Sequence, residues 1–457
     1  CVYYTEQTEL QQMSYTYPLP ELKTYGISEK TGFLPEEVPL TRLPSYFDSW
    51  ENTAAVLPAL LLTKRIREVI DKFDILDVSK LENEREYRRA YSILGYLGHA
   101  YIWGVDEPIN KLPIQIAEPW IKVSEHLRIP PIATYAGLCL WNWQELFPVE
   151  HYANDEGFLD NLKTITTFTG SIDESWFYLV SVYFEYKVAP CIRIGLDAIR
   201  GARNDQPEKV IECLEALAEK IDYLGSLFMK MEEMCDPHVF YFRLRPYLAG
   251  WKNMKGVGLE DGVYYGREDK PRTYCGGSNA QSSSIQMLDL FLNVEHHATG
   301  ESNKEGGNPF MSEMRKYMPG PHADFLEHLS KVNVIRDYVM KNASKNDELV
   351  LAYDACVAML KAFRDKHIRL VTRYIVIQAR KESDLGSASV QKSTLRAGLA
   401  KGGKDKVLRG TGGTALLPFL KQCRDETGNT AAGSWGKRIL SVQEKGEAEA
   451  SKRVRRN

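Results

Sequence analysis

Of the nine histidines in this sequence, His367 has the surroundings in which an imidazole could do chemistry. Cys356, Met359, Leu360, Phe363, Leu370, Val371 and Tyr374 recur around it at helical spacing, which turns the ring toward an apolar interior. Two readings follow from that position: a hydrogen-bonded core histidine, or a metal ligand facing a large apolar pocket. For the second, a helical chain without other metal-ligand spacing makes haem the natural candidate. Arg364 lies one turn earlier on the same side, where a guanidinium could pair with a haem propionate or with a surface carboxylate. The remaining histidines predict no zinc site: His296 and His297 are adjacent and diverge, His322 and His328 are six apart, and no C-x-x-C completes either pair. The G-x-S-x-G nucleophile motif is also missing.

Three further stretches could touch a ligand. Gly276-Gly277-Ser278-Asn279 leads into a predicted helix, whose first N–H groups could receive a carboxylate or a propionate. Phe240 to Trp251 is rich in aromatics and carries Arg243 and Arg245, whose spacing of two sends them to different helix faces. One of them is expected in solvent; the other, if it faces a pocket, is a bidentate clamp for an amino-acid carboxylate. Gly410-Thr411-Gly412-Gly413-Thr414 precedes a helix but follows a lysine-rich linker rather than a strand. It therefore fails the context test for a phosphate loop and reads as a lid with glycine hinges.

The elements that must position these residues are mostly helical. Apolar periodicity predicts helices over 53–73, 84–103, 175–200, 207–234, 240–251, 278–294, 309–318 and 347–379, with Pro207 in a first turn. The short strand signal is 262–266, GVYYG. The fold class is predominantly α. A soft boundary near 150–172 divides a smaller, mainly helical N-terminal domain, 1–165, from a large helical domain, 166–457. The latter carries a mobile insertion, 381–409, and a basic C-terminal tail expected to be disordered.

With 457 residues, 44% hydrophobic and 26% charged, the chain can bury a large core, and its longest apolar run is too short for a membrane span. A net charge of -3 argues against general nucleic-acid binding. The eight cysteines are scattered, which suits buried free thiols in a reducing compartment. No leader precedes the helices, although the sequence starts at Cys1 rather than Met, so the cytoplasm is the expected location.

Several separated blocks, in order, resemble the indoleamine 2,3-dioxygenase family: PPIATYAG (Pro130 to Gly137), FYLVS (Phe177 to Ser181), RPYLAGWK (Arg245 to Lys252), GGSNAQSS (Gly276 to Ser283), RKYMPGPH (Arg315 to His322), YDACVAMLKAFRDKHIRLVTRYI (Tyr353 to Ile375) and GTGGT (Gly410 to Thr414). The resemblance covers Leu19 to Leu420. It implies an all-helical haem-binding domain with a smaller N-terminal domain over the distal pocket. The implied activity is insertion of O2, the co-substrate, across the indole C2–C3 bond of L-tryptophan or a related indoleamine, giving N-formylkynurenine, the first step of the kynurenine pathway towards NAD.

At matching positions the resemblance implies haem b with His367 as the proximal iron ligand, Ser278 and Arg364 at the propionates, and Asp289 as a carboxylate orienting that side. It implies Arg245 on the substrate carboxylate, Phe240 on the indole, and Tyr135, Leu138, Cys139, Phe177 and Ser181 in the distal wall, with Gly276 and Gly277 beside the substrate. Thr411 matches the lid threonine. Ser181, Arg245 and Thr411 are the candidate catalytic residues, though Ser181 could equally bond back to its own helix. Tyr241, Leu138 and Asn279 depart from common family choices, each able to change substrate preference by roughly 1–3 kcal/mol. The expected partner is a small-molecule substrate, with no nucleic acid, no membrane and a monomeric state. The alternative is an oxygen-binding, myoglobin-like haem protein of the same fold; Arg245 and Thr411 argue against it, since a carrier needs neither clamp nor lid.

Overall fold

The computed structural model describes residues 15–148, 157–254, 257–298, 309–385 and 416–441. Three long helices form the centre. Asp347–Val371, which carries His367, packs along Pro207–Phe228, and that helix packs along Ile172–Arg203. Leu416–Asn429 lies against Asp347–Val371 as well. The predicted apolar stripe of Pro207–Phe228 is the one buried: Val210, Leu214, Leu217 and Ile221 are all fully inaccessible. Burial on that scale stabilises by roughly 1.5–3 kcal/mol per side chain.

Local sequence sets where these helices begin. Ser171 accepts the Glu174 N–H at 3.2 Å, and the Glu174 carboxylate reaches back to the Phe168 and Thr169 N–H groups at 2.7 and 2.6 Å. That reciprocal cap satisfies donors the helix itself cannot. Asn346 caps Asp347–Val371 by accepting from the Leu349 N–H at 3.0 Å. Asn83 does the same for Glu84–Trp103 through Glu86.

The predominantly α expectation holds, with corrections in detail. The segment 53–73 is not one helix: Asp48–Ala55, Leu57–Leu62 and Ile66–Ile70 follow one another, with Pro58 in a first turn and Lys64 at φ 59° forcing the break. The expected helix over 278–294 starts as a single 3-10 turn, Asn279–Gln281, and becomes α only over Ser283–Phe291. In 240–251 a π turn, Phe240–Leu244, leads into Arg245–Leu248, and the helix stops before Gly250. Another π turn, Thr372–Val376, interrupts 347–379, and a third covers Ala136–Leu140.

The GVYYG strand exists but needs a partner the sequence did not advertise. β1 (Lys111–Leu112) pairs in parallel with β4 (Tyr264–Tyr265), Lys111 opposite Tyr264. β2 (Trp143–Glu145) and β3 (Leu162–Thr164) form an antiparallel pair too short for alternation to show. Seven cysteines are described, all of them buried and free. No helix among the described residues is long and apolar enough to cross a membrane.

Candidate active site

The π turns matter because all three supply walls of one cleft, through Leu138 and Cys139, Phe240, and Tyr374 and Ile375. An extra residue in a helical turn re-aims its side chains, and such turns gather at functional sites. The cleft encloses about 1720 Å³ of atom-free space, its open mouth included.

His367 projects into this cleft from one wall. Burial pushes its imidazole down to about 4, with the nearby Arg364 charge acting in the same direction, so the ring is neutral at ordinary pH. The edge of Phe228 lies 5.7 Å away, centroid to centroid, and no hydrogen bond ties the ring among the described residues. Of the two readings of this histidine, the satisfied core residue is therefore the weaker, because no described residue satisfies it and it lines the cleft. Arg364 shares that wall but is drawn back into an ion pair with Asp289, which also accepts from His296 Nε2 at 3.2 Å. Burial pushes the Asp289 carboxyl up, yet Arg364 and His296 outweigh it and hold it below its ordinary value.

The remaining walls bring together most of the sequence-predicted residues. Tyr135, Phe177, Ser181, Phe240, Arg245, Gly277 and Ser278 all line the same cleft. The two arginines separate as their spacing requires: Arg243 is exposed, whereas Arg245 is 3% exposed, its guanidinium 5.6 Å from the centre of the Tyr241 ring. Phe177 and Phe240 meet at 4.8 Å between ring centres. Ser181 Oγ donates back to the Phe177 carbonyl at 3.2 Å. Gly276 stands outside the wall. A Cβ there would lie 2.0 Å from the Leu248 carbonyl, so its role is close backbone packing, while one at Gly277 would strike Leu138 at 2.6 Å. Thr411 lies outside the described residues.

Sequence reasoning passed over the residues that fix these walls. Glu185, fully buried, accepts from Tyr135 Oη at 2.9 Å, Ser282 Oγ at 2.6 Å and Ser284 Oγ. A lone carboxylate inside the apolar run LVSVYFEYKVAP was the available signal. Gln281 accepts from the Tyr135 N–H at 2.9 Å and donates to the Gly276 carbonyl at 3.0 Å, stapling the two glycine-bearing segments together. His99 accepts from the Ala133 N–H through Nε2 at 3.1 Å and donates from Nδ1 to the Tyr247 carbonyl at 2.7 Å. Its burial lowers it to about 4 and keeps it neutral, as those two bonds demand.

The family model described as indoleamine 2,3-dioxygenase matches residues 21–430. An indoleamine 2,3-dioxygenase of Saccharomyces cerevisiae is 46% identical over 91% of this chain and 94% of its own length. The human indoleamine 2,3-dioxygenase 2 is 34% identical, covering 89% of this chain and 94% of the relative. A 6-hydroxytryptophan 2,3-dioxygenase of Fusarium equiseti is also 34% identical, with 89% and 97% covered.

Proposed function

Because the chain belongs to the indoleamine 2,3-dioxygenase family, we propose that the cleft is its active site and that His367 is the ligand to the haem iron. The protein is a haem-dependent dioxygenase, and its reaction inserts both atoms of O2 across the indole C2–C3 bond of tryptophan to give N-formylkynurenine, opening the kynurenine pathway towards NAD.

The donor set fits the cofactor. His367 is a neutral imidazole facing an apolar cleft, and Arg364 keeps a buried Nε with no hydrogen-bond partner among the described residues. Ser278, whose Oγ accepts from the Ala280 N–H at 3.2 Å, borders the same space and with Arg364 would meet the propionates. Asp289 would orient Arg364 from behind. When bound, the haem supplies the iron that activates O2 for the ring-opening insertion.

The chain's own residues then bind and orient the indoleamine. Arg245, desolvated and beside aromatic rings, would take the substrate carboxylate, while Phe177 and Phe240 would hold the indole and keep water out. Ser181, its proton directed to Phe177, and Tyr135, its hydroxyl directed to Glu185, would shape the distal wall, with Gly277 allowing close approach. Gly276 would serve by holding that turn against Leu248. Thr411 is our candidate for the lid that closes behind the substrate. Tyr135, Leu138 and Cys139 reach the cleft from the N-terminal part and His367 from the C-terminal part, which supports the division into 1–165 and 166–457. Seven buried free thiols suit the cytoplasm, and we place the protein there as a monomer.

One observation carries the site assignment: a neutral histidine with no hydrogen bond among the described residues and the largely buried Arg364 share a single apolar cleft. His367→Ala should purify without a Soret band; a normal Soret band in that variant removes the assignment. Arg245→Ala should keep its haem but lose roughly 10- to 150-fold in kcat/KM for L-tryptophan, the worth of about 1.5–3 kcal/mol for a charged hydrogen bond. Unchanged kinetics would return Arg245 to a purely structural role.

A further inference from the structure

Behind the His367 wall three donor side chains of different kinds converge: the imidazole of His296, the thiol of Cys423 and the carboxylate of Glu426, with their ligand atoms all within 4.8 Å of one another. Sequence spacing predicted no such group, because His296 follows the helix Ser283–Phe291 whereas Cys423 and Glu426 sit on Leu416–Asn429, brought alongside only by the fold. Cys423 and Glu426 are three apart and therefore share a helix face. The three are nearly dry: the His296 and Glu426 side chains are 6% and 10% exposed, and Cys423 is 2% exposed.

What surrounds them has the form of a metal site's outer shell. His296 Nε2 meets Asp289 at 3.2 Å, the carboxylate–histidine contact that fixes a ligating imidazole and leaves Nδ1 for the metal. Nδ1 lies 2.7 Å from Glu426 Oε2. With the Nε2 proton donated to Asp289, that short contact is held by a proton on Nδ1, and an ion bound by both atoms would take the proton's place and open the pair to about 3.4 Å. The other Glu426 oxygen is already held, accepting from Gln422 Nε2 at 2.7 Å and the His297 N–H at 3.0 Å. Thus His296 and Glu426 each have one atom anchored outside the group and one atom within it.

We propose that His296, Cys423 and Glu426 form a binding site for Zn2+ that does not use His367, although Cys423 also borders the cleft. Imidazole, thiolate and carboxylate together match the borderline-soft preference of that ion, and three protein ligands leave a fourth position for water. Binding releases the protons of Cys423 and of His296 Nδ1. The metal would lock Leu416–Asn429 to the residues following Ser283–Phe291 and, through Asp289 and Arg364, brace the helix that carries His367.

The test uses the full chain loaded with haem, incubated with Zn2+ and dialysed into metal-free buffer. We expect one zinc per chain beside unchanged iron by elemental analysis, and a zinc-edge absorption spectrum with one sulfur at about 2.3 Å and lighter donors at about 2.0–2.1 Å. Cys423→Ser and Glu426→Gln should each lower zinc content at least fivefold with iron unchanged, and zinc should raise the melting temperature of the wild type alone. Less than 0.1 zinc per chain, or a zinc shell without sulfur, overturns the proposal and leaves His296 as an imidazolium between two carboxylates. That spectrum is read on the wild type, so it decides the matter even if a variant does not fold.

Discussion

On the Tyr135 side of the cleft the buried carboxylate Glu185 meets three hydroxyls, whereas on the His367 side the equally buried Asp289 meets a guanidinium and an imidazole. The consequences differ in sign. Burial raises the Glu185 carboxyl and the three hydroxyl donors only partly offset it; at Asp289 two cations more than cancel the same burial. Neutral donors satisfy the lone pairs of a carboxylate without repaying its loss of water, and cations repay it. The Tyr135 wall is thus a set of backbone segments pinned by directional hydrogen bonds. The His367 wall is a balance of charges in which each ion depends on the others.

The sharpest way to break this contrast is to remove one ion. Asp289→Ala leaves the Arg364 guanidinium, 12% exposed, without its counter-charge. We expect a loss of about 3–5 kcal/mol in the unfolding free energy of the haem-free protein, the usual cost of stranding a buried charge, measured by urea denaturation, and a smaller loss in the haem-loaded protein, where a propionate would pair with Arg364. Asp289→Ala with Arg364→Met should recover part of that loss, since no charge is then stranded. A single-variant loss under about 1 kcal/mol would show that Arg364 reaches water and that the two walls are not built differently.

Glu185→Gln should cost far less, about 1 kcal/mol, because hydroxyls can turn to donate to the amide oxygen or accept from its nitrogen. Its signature lies in pH. A carboxyl whose folded value is raised holds its proton more tightly when folded, so its stabilising contribution is present at low pH and fades as pH rises above the unfolded value near 4.5 toward the raised one. The wild type should therefore lose stability relative to Glu185→Gln as pH climbs through that window. Parallel stability curves across pH 4–8 would mean that Glu185 does not carry the burial penalty ascribed to it.

How much of this was legible beforehand follows the same division. His367, Arg364 and the long helices were readable because apolar periodicity is a property of one continuous segment, and the resemblance placed Arg245, Tyr135 and Phe177 on matching blocks. The π turns at Ala136–Leu140, Phe240–Leu244 and Thr372–Val376 were not, since one extra residue in a turn leaves composition unchanged and shifts the phase only locally. Nor were Glu185, Gln281 and His99, whose meaning lies in partners far along the chain: 50 residues separate Tyr135 from Glu185 and 146 separate it from Gln281. The group at His296, Cys423 and Glu426 was hidden for the same reason. Spacing rules find ligands that share a segment, and His296 lies on a different one from Cys423 and Glu426.

The smallest expected effect tests whether the Tyr135 wall acts through its framework or through its hydroxyl. The Tyr135 phenol is buried, which pushes its ionisation well above the ordinary tyrosine value, and its proton is directed to Glu185 rather than into the cleft. Tyr135→Phe keeps the ring that lines the pocket and leaves Glu185 with two hydroxyl donors in place of three. We expect a stability loss of about 0.5–1.5 kcal/mol, the net worth of one hydrogen bond, with kcat/KM for L-tryptophan changed less than about threefold. A large drop in kcat with stability unchanged would put the hydroxyl at the reacting atoms. It would also mean that the bond to Glu185 breaks when substrate enters, so that the wall is not pinned during turnover.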